Sequence, residues 1–260
     1  MTDTTSLSPL FLSHGSPMLA LTDTPARHFL AGLGRSLPKP RAILVVSAHW
    51  ETATPMVNAV DRNATIHDFH GFPRPLYDLS YPAPGAPDLA RRVADRLTEA
   101  GFATGIDPER GLDHGAWVPL LLAWPQADIP VLQLSVQTHL GPSHAASIGR
   151  ALAPLRAEGV LILGSGSFTH DLRRFRGQPV DAPEAEDVTE FAAWMDEHIA
   201  GDDLDALLDY RARAPHAADE HPTEEHLLPL FTAMTAGTGP AHRLHRSTEH
   251  SILRMDAYAF

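Results

Sequence analysis

The chain of 260 residues contains no cysteine. That absence removes disulfide frameworks, thiolate zinc sites, iron–sulfur clusters and cysteine nucleophiles together, so any bound metal must take nitrogen and oxygen ligands. Lysine is almost absent and the formal net charge is -12. Such a balance argues against a nucleic-acid surface, because phosphate neutralisation needs clustered cations. No apolar run approaches the roughly 18 residues needed to span a bilayer. Met1–Ser8 also lack the basic and apolar regions of a secretory leader. A soluble protein with a cytoplasmic address and no membrane segment is the expectation. The length suits one large domain over residues 1–260; the oligomeric state is not legible.

What the chain does have in quantity is histidine, 16 residues of it. Most are expected on the surface or hydrogen-bonded in the core, yet imidazole is also the commonest metal ligand and a frequent acid–base group. Their placement along the chain therefore matters more than their number.

Apolar, β-branched or Leu-rich runs at Pro9–Leu12, Ala42–Ala48, Pro130–Val136 and Val160–Leu163 are short and bounded by Gly, Pro or Ser, which reads as buried strands. Helical periods fall between them at Pro25–Leu37, Pro87–Ala100, Ala116–Trp124 and Pro142–Ala157, three of them opened by a proline suited to a first helical position. The alternation predicts an α/β fold: a central, largely parallel or mixed sheet flanked by helices. From His67 to Pro87 the chain is too rich in proline for helix or central strand. Four aromatics there, Phe69, Phe72, Tyr77 and Tyr81, predict a packed, ordered loop that walls an active site. Beyond Asp181 helices are expected at Pro183–Ala200, Leu204–Tyr210 and Pro222–Ala236, with a last strand near Ile252–Met255.

Three of the four strands run into a histidine: His14, His49 and, after a short loop, His170. In open α/β sheets ligands bind beyond the carboxyl ends of the strands, where residues far apart in sequence converge. A metal site at that edge is the reading, against the alternative of unrelated histidines at strand ends. A fourth candidate is His226, in H-P-T-E-E-H. With Thr223 as cap it would fall in the first turn or two of a helix, whereas His221, one residue too far away to share its face, is expected exposed or in a supporting place. A fifth is His114, between glycines just before a helix, the alternative being that Asp113 and His114 merely cap that helix. Ser165 and Ser167 in G-S-G-S fit neither a nucleophile elbow nor a phosphate loop.

Taken in order, L-S-H14-G-S-P-M, V-V-S-A-H49-W, I-H67-D-F-x-G-F-P-x-x-L-Y77, Y-P-A-P-G85, G-L-D-H114-G-x-W, G-S-G-x-x-x-H170-D-L and P-T-x-E-H226-L-L-P-L resemble the class III extradiol ring-cleavage dioxygenases. The likeness runs unbroken from Leu10 to about Leu230 and is closest to the branch that acts on DOPA. It implies a non-haem metal held by His14, His49 and His226, with His170 as a fourth ligand or an acid–base group and His114 handling protons from outside the ligand set. Partners would be a small catechol and O2, with one divalent metal per chain. Better-known relatives use two histidines and a carboxylate, the triad suited to Fe(II). Here His226 stands where a Glu is expected and Glu225 is adjacent, so Fe(II) and Zn(II) both remain open. Two other readings of the same residues stay in play: a zinc hydrolase, and a non-catalytic metal- or peptide-binding protein. Arg74 is a candidate partner for a carboxylated catechol, or an idle surface residue.

Overall fold

The computed structural model describes residues 6–260; the absence of a leader in Met1–Ser8 concerns residues lying mostly outside them. Among the described residues ten strands form, in chain order β1 Leu10–Ser13, β2 Ala42–Glu51, β3 Met56–Asn58, β4 Gly105–Asp107, β5 Val131–Val136, β6 Val160–Gly166, β7 His242–His245, β8 Thr248–Glu249, β9 Leu253–Arg254 and β10 Ala257–Ala259. The main helices are α1 Pro25–Ser36, α2 Pro87–Glu99, α3 His114–Ala123, α4 Gly141–Leu152, α5 Glu186–Ala200 and α6 Leu228–Ala236. Eight strands build one sheet in the order β4-β3-β5-β2-β6-β1-β10-β7. Its centre, β5-β2-β6-β1, is parallel, while β10 joins β1 and β3 joins β5 in the antiparallel sense.

The central strands are buried on both faces, and this is why they read as unbroken apolar runs rather than as alternations. Along β2, Leu44 and Val46 face α2, α4, α5 and α6, whereas Ile43 and Val45 face α1 and α3. Local chemistry sets the helix starts. Thr24 accepts from the Arg27 N–H with Pro25 at the first position of α1, and Asp113 accepts from the Ala116 N–H to open α3.

Several expectations shift. The last strand splits: β9 pairs only with β8, and the sheet is completed by β10. The helix expected from Pro222 begins at Leu228. Pro229 lies at its start, and the preceding residues are drawn into side-chain bonds of their own: the Thr223 hydroxyl donates to Glu225 Oε1 at 3.0 Å instead of capping a helix. The proline-rich segment from His67 to Pro87 is ordered, as its aromatics predict. Leu76 and Tyr81 are fully buried, and a single helical turn forms at Arg74–Tyr77.

Candidate metal centre

At the carboxyl edge of the parallel strands, β1 delivers His14, whose N–H bonds to Gly166 O at 2.9 Å. Gly15 then turns the chain at φ +58, and a Cβ at this position would stand 2.6 Å from the Met255 methyl, so glycine is required twice over. His49 lies within β2, where the register with β5 slips between Val46 and Glu51; such an irregularity re-aims a side chain. His226 precedes α6 and is seated on Gly166, where a Cβ would come within 2.0 Å of the His226 carbonyl oxygen.

The three rings converge. His49 Nε2 lies 3.0 Å from His14 Nε2 and 3.3 Å from His226 Nε2. Their other nitrogens are already engaged. Ser165 Oγ donates to Gly115 O, so it must accept from His14 Nδ1–H, at 3.0 Å. The Glu225 carboxylate accepts from His226 Nδ1–H at 2.9 Å. Both remaining Nε2 atoms therefore carry lone pairs aimed at His49 Nε2, which has one proton to give at most. The trio cannot satisfy itself, and a cation at its centre would satisfy all three. Spacings of this size also suit nitrogens about 2.0–2.1 Å from a common ion. Burial lowers the pKa of His14 and His226 well below 6.5, and lowers that of His49 to about 3, helped by His114. All three are thus neutral at physiological pH, the form that binds metal.

Around this trio stand the other expected residues. The His114 ring centroid is 3.9 Å from that of His49, and His170 stacks on His226 at 3.4 Å with the planes 12° apart. His221, for which exposure was one expectation, is fully buried and donates from Nε2 to Phe168 O at 3.0 Å; it supports the turn after β6. Arg74 is exposed, paired with Asp78 at 3.1 Å, and does not line the cavity described below.

The sequence from residue 9 to 258 matches the family described as the catalytic LigB subunit of aromatic ring-opening dioxygenase. The chain belongs to the LigB family. Similar proteins include 4,5-DOPA dioxygenase extradiol of Beta vulgaris, 46% identical over 96% of this chain and 95% of that one. The Escherichia coli (strain K12) protein of the same name is 39% identical over 90% and 87%. A crystal structure of an uncharacterized protein from Escherichia coli K12 superposes with TM-score 0.81 at 32% identity, covering 98% of this chain and 99% of the other. The likeness expected from the motifs, the α/β fold and the identity as an extradiol dioxygenase that opens aromatic rings all stand. No helix among the described residues is long and apolar enough to cross a membrane.

In this LigB-family site the trio opens onto a cavity of about 590 Å³, lined by His49, His114 and His170 and by Phe69 and Phe72 of the proline-rich loop. The residue that sequence reasoning missed is Asp68. Its Oδ2 accepts from His114 Nδ1–H and its Oδ1 from the His114 backbone N–H, each at 2.9 Å, and His49 Nδ1 lies 3.6 Å away. Burial alone would raise the Asp68 carboxyl, but the bonds from His114 outweigh it and bring it down to about 2. The sequence signal for it was its place between His67 and Phe69 in the I-H-D-F motif. Asp113 does cap α3, yet it also accepts from Ser47 Oγ at 2.7 Å and from Arg110 at 3.1 Å, tying the helix that carries His114 to the strand that carries His49.

Proposed function

We propose that His14, His49 and His226 hold one divalent metal, Fe(II) in the active form, and that the cavity beside them receives a catechol whose ring is opened next to the diol. The observation that carries this is the set of three converging Nε2 atoms whose lone pairs one shared proton cannot satisfy and a cation between them would. A ferrous ion held by these three histidines would supply the redox coupling between the closed-shell catechol and O2.

The remaining work falls to the chain. Asp68 fixes the His114 proton on Nδ1 and leaves Nε2 as an acceptor at the cavity. His114 takes a proton from the catechol hydroxyl, the duty of a general base. His170 is the donor that returns it as the ring opens. Its ring lies face to face with that of His226, 3.4 Å away with the planes 12° apart, so its lone pairs do not converge with that of His226 Nε2, which argues against a fourth ligand. Burial, with His49 and His114 nearby, lowers the His170 pKa to about 4. It is therefore neutral before reaction and acts by relaying a proton. Phe69 and Phe72 close the apolar side of the cavity and exclude water from the opening ring. Atoms balance without a further reductant: one ring carbon–carbon bond breaks, both oxygen atoms of O2 enter, and the product is a hydroxymuconic semialdehyde.

The test is reconstitution with Fe(II) under anaerobic conditions, addition of a catechol panel, then O2. A yellow product and stoichiometric O2 uptake are expected with iron and neither with zinc, which has no accessible redox change. An iron form that consumes no O2 with any catechol, beside a zinc form that hydrolyses esters or amides, would overturn the proposal.

A further inference from the structure

The strand that delivers His49 leaves its regular ladder where the ligand sits. Register pairs of β2 with β6 stop at Ser47, and those with β5 stop at Val46 and resume only at Glu51. Side chains take over at His49. Its backbone N–H donates to Ser47 Oγ at 3.2 Å, and its carbonyl accepts from Arg110 Nη2 at 3.3 Å. Both side chains lead on to one carboxylate: Ser47 Oγ donates to Asp113 Oδ1 at 2.7 Å, and Arg110 Nη2 to Asp113 Oδ2 at 3.1 Å. Asp113 is fully buried, and among the described residues Arg110 is its one cationic partner. A buried carboxylate depends on such a partner.

Arg110 is itself held from three sides. Its backbone N–H donates to Asp107 Oδ1, at the end of β4, at 2.9 Å, and its carbonyl accepts from Asn58 Nδ2, at the end of β3, at 3.0 Å. Its Cζ lies 4.6 Å from the centroid of the Trp50 ring, within the range of cation–π attraction. The two short strands at the sheet edge, which carry no histidine of the site, thus fix a group that reaches a ligand. Arg110 does not line the cavity and has no lone pair to offer a metal. The reaction at the ring has no direct use for it.

One guanidinium nitrogen that joins the His49 carbonyl to the residue opening α3 fixes two quantities: where β2 aims His49, and how far His114, the first residue of α3, stands from it. The two rings are 3.9 Å apart between centroids. We propose that Arg110 is a positioning residue of the metal centre, setting His49 against His114 through the His49 carbonyl and Asp113. The inference rests on the reading of His49 as a ligand and His114 as the base, and adds the group that keeps them in register. Partners that orient a ligand from outside the coordination sphere are worth about 10–100-fold in metal affinity or activity.

The experiment loads wild type and Arg110→Ala with Co(II), whose visible spectrum reports ligand geometry, and measures affinity by competition with a chelator. Arg110→Ala should bind Co(II) about 10–100-fold more weakly and with an altered spectrum. With Fe(II) and 4-methylcatechol its kcat should fall by a similar factor while KM stays within about threefold, as expected for misplaced groups rather than lost substrate contacts. The Arg110 side chain is 21% exposed, so guanidinium ion, well below denaturing concentration, should enter the space it leaves and restore spectrum and affinity. Ammonium ion should not. A merely structural arginine would lower the urea midpoint and leave the spectrum of the folded variant unmoved. A wild-type spectrum and affinity in Arg110→Ala, or a change that guanidinium fails to reverse, would overturn the positioning role. Should Arg110→Ala fail to fold with Asp113 unpaired, Arg110→Met combined with Asp113→Asn removes both charges and keeps a helix cap; the same spectral change is expected there, and its absence overturns the role. Co(II) bound alike by wild type and variant sinks this inference alone, whereas a wild type that binds no Co(II) sinks the metal-centre reading with it. If no catechol is cleaved, the dioxygenase reading fails, and spectrum and affinity still decide the role of Arg110.

Discussion

Asp68 makes the sharpest demand of any single side chain. With an amide in place of the carboxylate, Asp68→Asn can present N–H to His114 Nδ1 and reverse the tautomer, moving the ring proton onto Nε2 where the base must be empty. The variant should keep its metal and fold while kcat falls by roughly 10²–10⁴-fold, the usual contribution of a general base. Turnover within a few fold of wild type would show that the Asp68–His114 pair is structural. Ligand and non-ligand roles separate in the same way. His226→Ala should lose stoichiometric metal, since it removes one of three converging Nε2 atoms, whereas His114→Ala should retain metal and lose turnover. Metal content by elemental analysis, read beside O2 uptake, distinguishes the two. Part of this site was legible in the sequence: histidines at strand ends point to a common edge whatever the intervening chain does. Asp68 was not, because a loop without periodicity gives no clue to where one carboxylate is aimed. The partners of the ring nitrogens, Ser165 and Glu225, were in view as residues, and only their geometry assigns their roles.

Secondary structure places these groups through close approach. Gly115, in the first turn of α3, leaves no room for a side chain: a Cβ would meet Ser47 Oγ at 2.7 Å, His49 Cδ2 at 3.0 Å and His14 Cε1 at 3.2 Å. Gly115→Ala should therefore weaken metal binding although alanine is the better helix former by about 1 kcal/mol. Titration with a chromophoric chelator measures this. Unchanged affinity would mean that the two ligand rings are free to move aside. The same reasoning explains which elements the sequence predicted well. Long central strands buried on both faces, and helices opened by Thr24 or Asp113, announce themselves in composition and caps. The three-residue strands β3 and β4 carry too little pattern to find, and β10 is recognised only by its partners β1 and β7. The start of α6 was misplaced by six residues because Thr223 and the two glutamates imitate a helix opening, while the Thr223 and Glu225 side chains serve the turn that holds His226.

Across the whole molecule, the price of gathering neutral histidines is sensitivity to acid. Burial lowers His14 and His226 well below 6.5, His49 and His221 to about 3, and His170 to about 4. In the pH window below 6.5 the unfolded chain binds protons that the folded one refuses, so their contribution is present above 6.5 and is lost as pH falls. Glu220, pushed up to about 7 by burial despite Arg174, works in the opposite sense, as do the buried carboxyls of Glu249 and Asp256, which burial also pushes up, but the five histidines outnumber them. The unfolding free energy of the metal-free protein, read from urea titration, should therefore drop between pH 7 and pH 5, by at most about 2 kcal/mol for each histidine. Added zinc should raise the midpoint more at pH 7 than at pH 5, because protons and metal compete for the same nitrogens. A flat profile would place the histidines in solvent. The central claim is that this carboxyl-edge cavity brings a catechol and O2 together and opens the ring, and one measurement tests it most directly. In a single turnover of the Fe(II)-loaded protein with 4-methylcatechol under isotope-labelled O2, mass spectrometry should find both labelled atoms in a ring-opened semialdehyde, apart from exchange of the aldehyde oxygen with water. Label confined to hydrogen peroxide, with the catechol recovered intact or as its quinone, would contradict it.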